Sequence, residues 1–441
     1  MPQPVRSAVV AVALLSLPLL ARAGVAPAGT EFQVNTYTTD DQFDPSVCKS
    51  ADGSFVAVWE SNAGNDGSGY GVFGQRYGSN GARLGTEFQI NTYTTNKQSQ
   101  PQVCCDAAGD FVVVWTSYSQ DGYTDGVFGQ RFASGGGFVG TEFQVNTYTP
   151  GYQEHPQVCC DAAGDFVVAW ASTYQDGNYN GVFGQRFASN GAFAGTEFQV
   201  NTYTTSGQGY PALCCDAAGD FVVAWQSFQD GSVWGVFGQR FASGGEPRGT
   251  EFQINTYTPG YQIDPALCCD KEGDFTVVWT GYSQSLYGSV FGQRFASSGA
   301  ARGVEFQVNT YTTYSQVNPA ICCGLNGDFV VTWQSYGQDG SSWGILARRF
   351  GHGGGASSEF QVNSYTTGVQ INPAVACDAK GNFVIVWQGN GVTDDVFGQR
   401  FDVPGLVQTP ALSFAGLVVS VISLLGAAAF ALRRGRQKNM R

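Results

Sequence analysis

The stretch "VCCDAAGDFVVAW", Val158 to Trp170, decides the fold, because close copies recur from "VCKSADGSFVAVW" at Val47 to "VACDAKGNFVIVW" at Val375. Its apolar run ending in tryptophan reads as a buried β-strand, since branched and aromatic side chains suit a pleated backbone. The "DAAGD" ahead of that run is turn chemistry, with Gly164 at the left-handed position of a tight hairpin. The Val-Cys-Cys before the turn closes the preceding strand.

Outward from this element, each copy lies in a longer unit. Units open on "EFQVNT", continue through a "YTTxxQxxP" link, the quoted stretch and a Gly/Asp/Tyr loop, and close on "GVFGQRF". They begin at Glu31, Glu87, Glu142, Glu197, Glu251, Glu305 and Glu359, at spacings of 56, 55, 55, 54, 54 and 54 residues. Four strand-like runs per unit and seven units predict an all-β, seven-bladed β-propeller of four-stranded blades over 24–403. The chain enters on "EFQVNT" and leaves on "VFGQRF". Glu31–Thr36 is therefore expected to complete a last blade whose other strands come from Pro373–Phe401. An open β-solenoid is the alternative, at the cost of unpaired edges.

Adjacent residues on a strand point to opposite faces, so a Cys-Cys pair reaches toward both neighbouring blades. Blades converge at the axis, where sheets come close enough for disulfide geometry, which puts the cysteine strand innermost. Pairing the first cysteine of each unit with the second of the next gives Cys48–Cys105, Cys104–Cys160, Cys159–Cys215, Cys214–Cys269, Cys268–Cys323 and Cys322–Cys377, using all twelve. Lys49 and Ala376 are left facing each other at the seam, with no disulfide to form. The opposite direction strands Cys104 and Cys323. A bond within each Cys-Cys pair remains a strained rival.

The ends carry export chemistry. Residues 1–23 read as a signal peptide, with Arg6, an apolar core and the Ala21-Arg22-Ala23 cleavage pattern. After a linker at 404–411, residues 412–432 are uncharged and long enough for a membrane-spanning helix, and the basic tail 433–441 favours a cytoplasmic C-terminus. The membrane is thus an expected partner through that helix. The exported part keeps 15 basic against 35 acidic residues, net near −20, which argues against nucleic acid as a partner. Twelve cysteines in an exported chain suggest disulfides.

The recurring "FQVNTYTT", "GDFVVVW" and "GVFGQRF" resemble a repeat of large bacterial secreted and surface proteins, and the resemblance covers nearly all of 24–403. It implies export and surface display, and no reaction. The tail, with Thr409-Pro410-Ala411-Leu412-Ser413 ahead of the apolar span and the Arg cluster, resembles the sorting signals processed by exosortase-like enzymes.

Residues repeated seven times are expected to be structural. The Trp59 to Trp387 series should pack between blades, Arg131 and Glu142 should form a cross-strand ion pair, and the Gln42 to Gln370 series should bond to backbone. Binding is expected on the face bearing the links and the loops after each tryptophan, where the repeats diverge. The residues before proline read Asp44, Gln100, His155, Tyr210, Asp264, Asn318 and Asn372, and should line the mouth of the central channel. The loops add Asp121, Asp176, Trp234 and Trp343, aromatic planes beside carboxylates that suit sugar rings. No cofactor is expected; calcium would find acids in these loops but not the ligand spacing of a calcium-binding loop. The expected function is non-enzymatic binding of a glycan or protein at the cell surface. The alternatives are a propeller glycosidase or lyase using Asp44, Asp264 or Glu154 as acids, or a purely structural coat.

Overall fold

The computed structural model describes residues 25–62, 66–231, 233–282, 287–324, 326–390 and 393–403. The signal peptide, linker, spanning segment and basic tail expected at the ends lie outside these residues. No described helix is long and apolar enough to cross a membrane.

The described chain forms seven antiparallel sheets in a closed ring. Six are made of four consecutive strands, such as Gln98–Cys105, Phe111–Tyr118, Asp125–Phe132 and Phe138–Gln144. The seventh combines Gln370–Cys377, Phe383–Asn390 and Asp394–Asp402 with the N-terminal Phe32–Gln33, which pairs Phe32 with Gly398. Ala26–Pro27 pairs with the same last strand. Closure by the chain's two ends excludes the open solenoid and leaves no interface without a partner blade.

The cysteine strand is innermost, and each packs on the next around the axis, from Gln370–Cys377 back to Gln42–Lys49. The tryptophan strands are buried along their whole length in several blades, including Phe55–Ser61 and Phe221–Ser227, which is why they read as unbroken apolar runs. Their tryptophans are 0–1 % exposed. Beside the tight turn of six blades two phenylalanines stack, as Phe166 on Phe187 at 4.7 Å (Phe55 on Tyr77 in the first), and a third from the preceding blade, Phe143, lies 5.4 Å from Phe187. Gly164 sits at φ 86°, and Asp161 Oδ1 accepts from Ala163 N (2.8 Å) and Asp165 N (3.0 Å), so the turn is held as its residues suggest.

Six disulfides join blades, each from the first cysteine of one inner strand to the second of the next: Cys48–Cys105, Cys104–Cys160, Cys159–Cys215, Cys214–Cys269, Cys268–Cys323 and Cys322–Cys377. Disulfides of this number belong to an oxidising compartment, consistent with export. The seam holds something the sequence does not suggest. Lys49 Nζ lies 3.4 Å from an Asp378 carboxylate oxygen, with both side chains 6 % exposed or less. An ion pair therefore closes the interface that has no disulfide.

The expected pairing of Arg131 with Glu142 is corrected by the structure. Arg131 Nη1 donates to Ser189 O of the next blade at 2.6 Å, and Arg400 does the same across the seam to Ser79 O at 3.1 Å. Glu142 Oε2 instead accepts from Thr92 N (2.6 Å) and Thr92 Oγ1 (2.9 Å) of the preceding blade. Glu31 repeats this clamp on Ser364 Oγ at 2.7 Å, again across the seam. Both groups bond between blades because Arg131 stands opposite Val139 while Glu142 falls in the register break between Val139 and Phe143, so the two are not cross-strand partners.

Candidate functional site

The inner strands open the channel on the loop face. Each carries a bulge where two residues face one on the partner strand, as between Phe43 and Ser46 or Glu154 and Gln157. The first bulged residue precedes the proline and has left-handed φ in all seven blades, from 43° at Asp44 to 55° at Gln100 and His155. The bulge aims that side chain at the axis. Asp44, Gln100, His155, Tyr210, Asp264, Asn318 and Asn372 thereby line one cavity of about 510 Å³, with the prolines and the following strand residues below them.

Left-handed backbone explains some of these residue types, since Asn, Asp and His tolerate it better than others. Tyr210 has no such excuse. It is 47 % exposed at φ 50°, and its ring stacks on His155 at 4.2 Å. Tyr210→Asn should therefore raise stability by about 0.5–1 kcal/mol while removing a surface a ligand would use. Thermal unfolding beside ligand titration checks this; a loss of stability would mean that the tyrosine is there for packing.

The polar groups of the mouth are bonded to one another. Gln100 Nε2 donates to His155 Nδ1 (3.1 Å), Asn318 Nδ2 to Asn372 Oδ1 (3.4 Å), and Asn372 Nδ2 to Asp44 Oδ1 (2.9 Å). Burial in the channel lowers the His155 pKa to about 4, so the imidazole is neutral at physiological pH. Removal from bulk water pushes the Asp44 and Asp264 carboxyls upward.

The repeated amides do not reach the ligand space. Gln98, fully buried, donates to Thr95 O at 3.0 Å and accepts from Asn91 Nδ2 at 3.1 Å. Asn91 also accepts from Val72 N (2.8 Å) and donates to Tyr93 O (2.9 Å). In two blades the glutamine carbonyl takes the tryptophan indole as well, as Trp59 Nε1 to Gln42 Oε1 at 3.0 Å. These residues hold the corner of each link, which accounts for their recurrence.

The loop residues lie on the same face but outside the mouth. Trp234 packs on Phe228 at 4.0 Å, and Trp343 on Tyr336 at 5.3 Å, at the end of a string that continues through Tyr314 to Tyr287. Asp121 Oδ1 and Asp176 Oδ1 each accept from the N–H two residues on, at 3.0 Å, so one oxygen of each holds its own loop. The mouth and the loop aromatics are thus two separate sets. Among the described residues no three His, Cys, Asp or Glu side chains converge as a metal site.

One acid at this face escapes a motif search. Glu60, next to Trp59, is 3 % exposed; its Oε2 accepts from Gln100 N (3.2 Å) and its Oε1 lies 3.6 Å from Lys97 Nζ. Burial raises its pKa to about 7, against the pull of Lys97. It stands behind the ring and is not among the residues lining the cavity. Its signal is positional: the residue after each tryptophan reads Glu60, Thr116, Ala171, Gln226, Thr280, Gln334 and Gln388, four residue types against five in the pre-proline set. Nearby, Asp125 and Glu154 share a hydrogen bond, and burial raises both.

Because Glu60 binds its proton more tightly when folded, its contribution is complete below pH 4.5 and is lost as pH rises toward 7. Glu60→Gln should remove about 3 kcal/mol of that fall. Denaturation midpoints at pH 4.5 and 8 test it, and an unchanged slope would mean that Glu60 ionises freely.

No family model matches the sequence, and no curated protein is similar to it in sequence. Among solved structures, the chain superposes on a protein of unknown function from Dyadobacter fermentans with a TM-score of 0.54 at 9 % identity, covering 86 % of this chain and all of the other. The β-propeller domain of the Trilobed protease from Pyrococcus furiosus, described as having an open velcro topology, gives 0.47 at 9 % identity over 85 % of this chain and 98 % of that one. An α-L-arabinofuranosidase from Fusarium graminearum gives 0.47 at 11 %, covering 86 % and 98 %. The first of these likenesses extends to the fold alone.

Proposed function

We propose that this chain is an exported, surface-displayed β-propeller that binds a glycan at its channel mouth without transforming it. One observation carries the reading. The residues repeated around the ring are used in bonds within and between blades, whereas the seven left-handed positions that converge on the cavity carry five different side chains. An asymmetric polar ligand needs that departure from symmetry. The Tyr210 ring beside hydrogen-bonding amides suits a sugar, whose apolar face stacks while its hydroxyls bond. The outer aromatics from Tyr287 to Trp343 lie where a longer chain would run. A protein surface is the other ligand class this face would take.

A glycosidase reading draws on Glu60, held near neutrality, and on the raised Asp44 carboxyl. Glu60 does not line the cavity, which leaves Asp44 and Asp264 as the two carboxyl groups that hydrolysis would need on either side of the scissile bond. A glycan-array screen of the oxidised full chain separates the readings. Binding that weakens with Tyr210→Asn supports the lectin-like role. Hydrolysis of a bound glycan, lost in Asp44→Asn with binding kept, supports the enzyme. A blank array removes the glycan reading and favours a protein partner or a structural coat.

A further inference from the structure

The mouth does not distribute its chemistry evenly. Asp264, Asn318, Asn372 and Asp44 follow one another around one arc, and Gln100, His155 and Tyr210 complete the other. The first arc carries both carboxylates. The second carries a neutral imidazole, bonded through Nδ1 to Gln100 and stacked on the exposed Tyr210 ring. No lysine or arginine lines the cavity. Lys97, the amine whose charge acts on Asp44, lies 3.6 Å from Glu60 and 4.8 Å above the Tyr70 ring, so it is already engaged.

Within the acidic arc the two carboxylates differ. Asp44 accepts from Asn372, which in turn accepts from Asn318. Asp264 stands outside this chain. Its backbone N–H donates to Gln226 Oε1 at 3.3 Å, and among the described residues its carboxylate has no hydrogen-bond or ion-pair partner, burial alone acting on it. It is half-buried, on the blade next to Tyr210. A carboxylate without a counter-charge, inside a cavity and beside an open aromatic ring, is complementary to a cation. A hydroxyl would bond there too, but it would leave the charge uncompensated. An anionic sugar would be repelled.

We infer that the mouth selects glycans bearing an unacetylated amino sugar, with its ammonium on Asp264 and its ring against Tyr210. The inference rests on the glycan reading above and names the ligand class for the same cavity.

The test is calorimetric titration of the oxidised full chain at pH 6 with three probes of equal length: a glucosamine oligomer, its N-acetylated counterpart and an oligogalacturonate. The amine-bearing oligomer should bind about tenfold or more tighter than the acetylated one, the scale of one charge-assisted hydrogen bond. The oligogalacturonate should not bind. Asp264→Asn keeps a residue that tolerates left-handed backbone, so the fold should stand while the preference collapses; Asp44→Asn provides a second variant. Equal binding of the first two probes overturns the inference and leaves the glycan reading intact. No binding by any probe overturns the inference and leaves the glycan reading to the array. A preference that survives both substitutions, or binding abolished by EDTA, overturns direct ammonium recognition.

Discussion

Lys49→Met should destabilise the ring by about 3 kcal/mol, read as a lower guanidinium midpoint under oxidising conditions. Lys49 and Asp378 are both nearly inaccessible, and removing one partner of such a pair leaves the other charged in a poor solvent. The figure is placed low in the usual range because Asp378 keeps other donors: Lys380 N at 2.9 Å, Asn382 N at 3.0 Å and Asn382 Nδ2 at 3.1 Å. Burial depresses the Lys49 pKa against the pull of Asp378, so desolvation is already a cost in the native protein. Adding Asp378→Asn should therefore recover more than half of the loss. If Lys49→Met alone is neutral, the pair does not hold the seam, and the N-terminal strand closes the ring unaided. The seam also allows a gain from a disulfide: Lys49 and Ala376 stand in register where cysteines stand at the other interfaces.

Removing one disulfide should cost more. Cys159→Ala with Cys215→Ala opens a bridge of sequence separation 56, worth about 4 kcal/mol in the chain-entropy account. Alanine is the right probe, because Cys159 is 8 % exposed among Val167, Ala169 and Val223, and a serine hydroxyl would be buried without a partner. The flanking cysteines stay in their own bonds, Cys104–Cys160 and Cys214–Cys269, so no free thiol is created. The denaturant midpoint is again the measure. A change below about 1 kcal/mol would mean that the unfolded chain is already restrained there by the neighbouring bridges, and that the six bonds act as a chain rather than singly.

The features visible in the sequence are those set by local or periodic chemistry. The strand at Phe166–Thr173, the Asp-Gly turn before it and the recurrence of both follow from side-chain preference and a period that neighbours share. The loss of one cysteine at each end follows from counting partners around a ring. The pre-proline residues were legible as a converging set because they diverge where everything around them repeats.

What the sequence left undetermined depends on the gap between blades. Arg131 and Glu142 share a repeat, yet each bonds to a different neighbouring blade. The burial of Glu60, the Lys49–Asp378 pair and the unpartnered carboxylate of Asp264 likewise depend on which residues adjacent blades bring together. The sequence determined the number of blades, their strand order and the shared seam, because repeated strands can satisfy their edges only by closing. Tertiary structure decided which charges lost water, which found a partner across a blade interface and which face the channel. Desolvation and hydrogen-bond geometry are properties of atoms brought together from distant repeats, and no single repeat contains them.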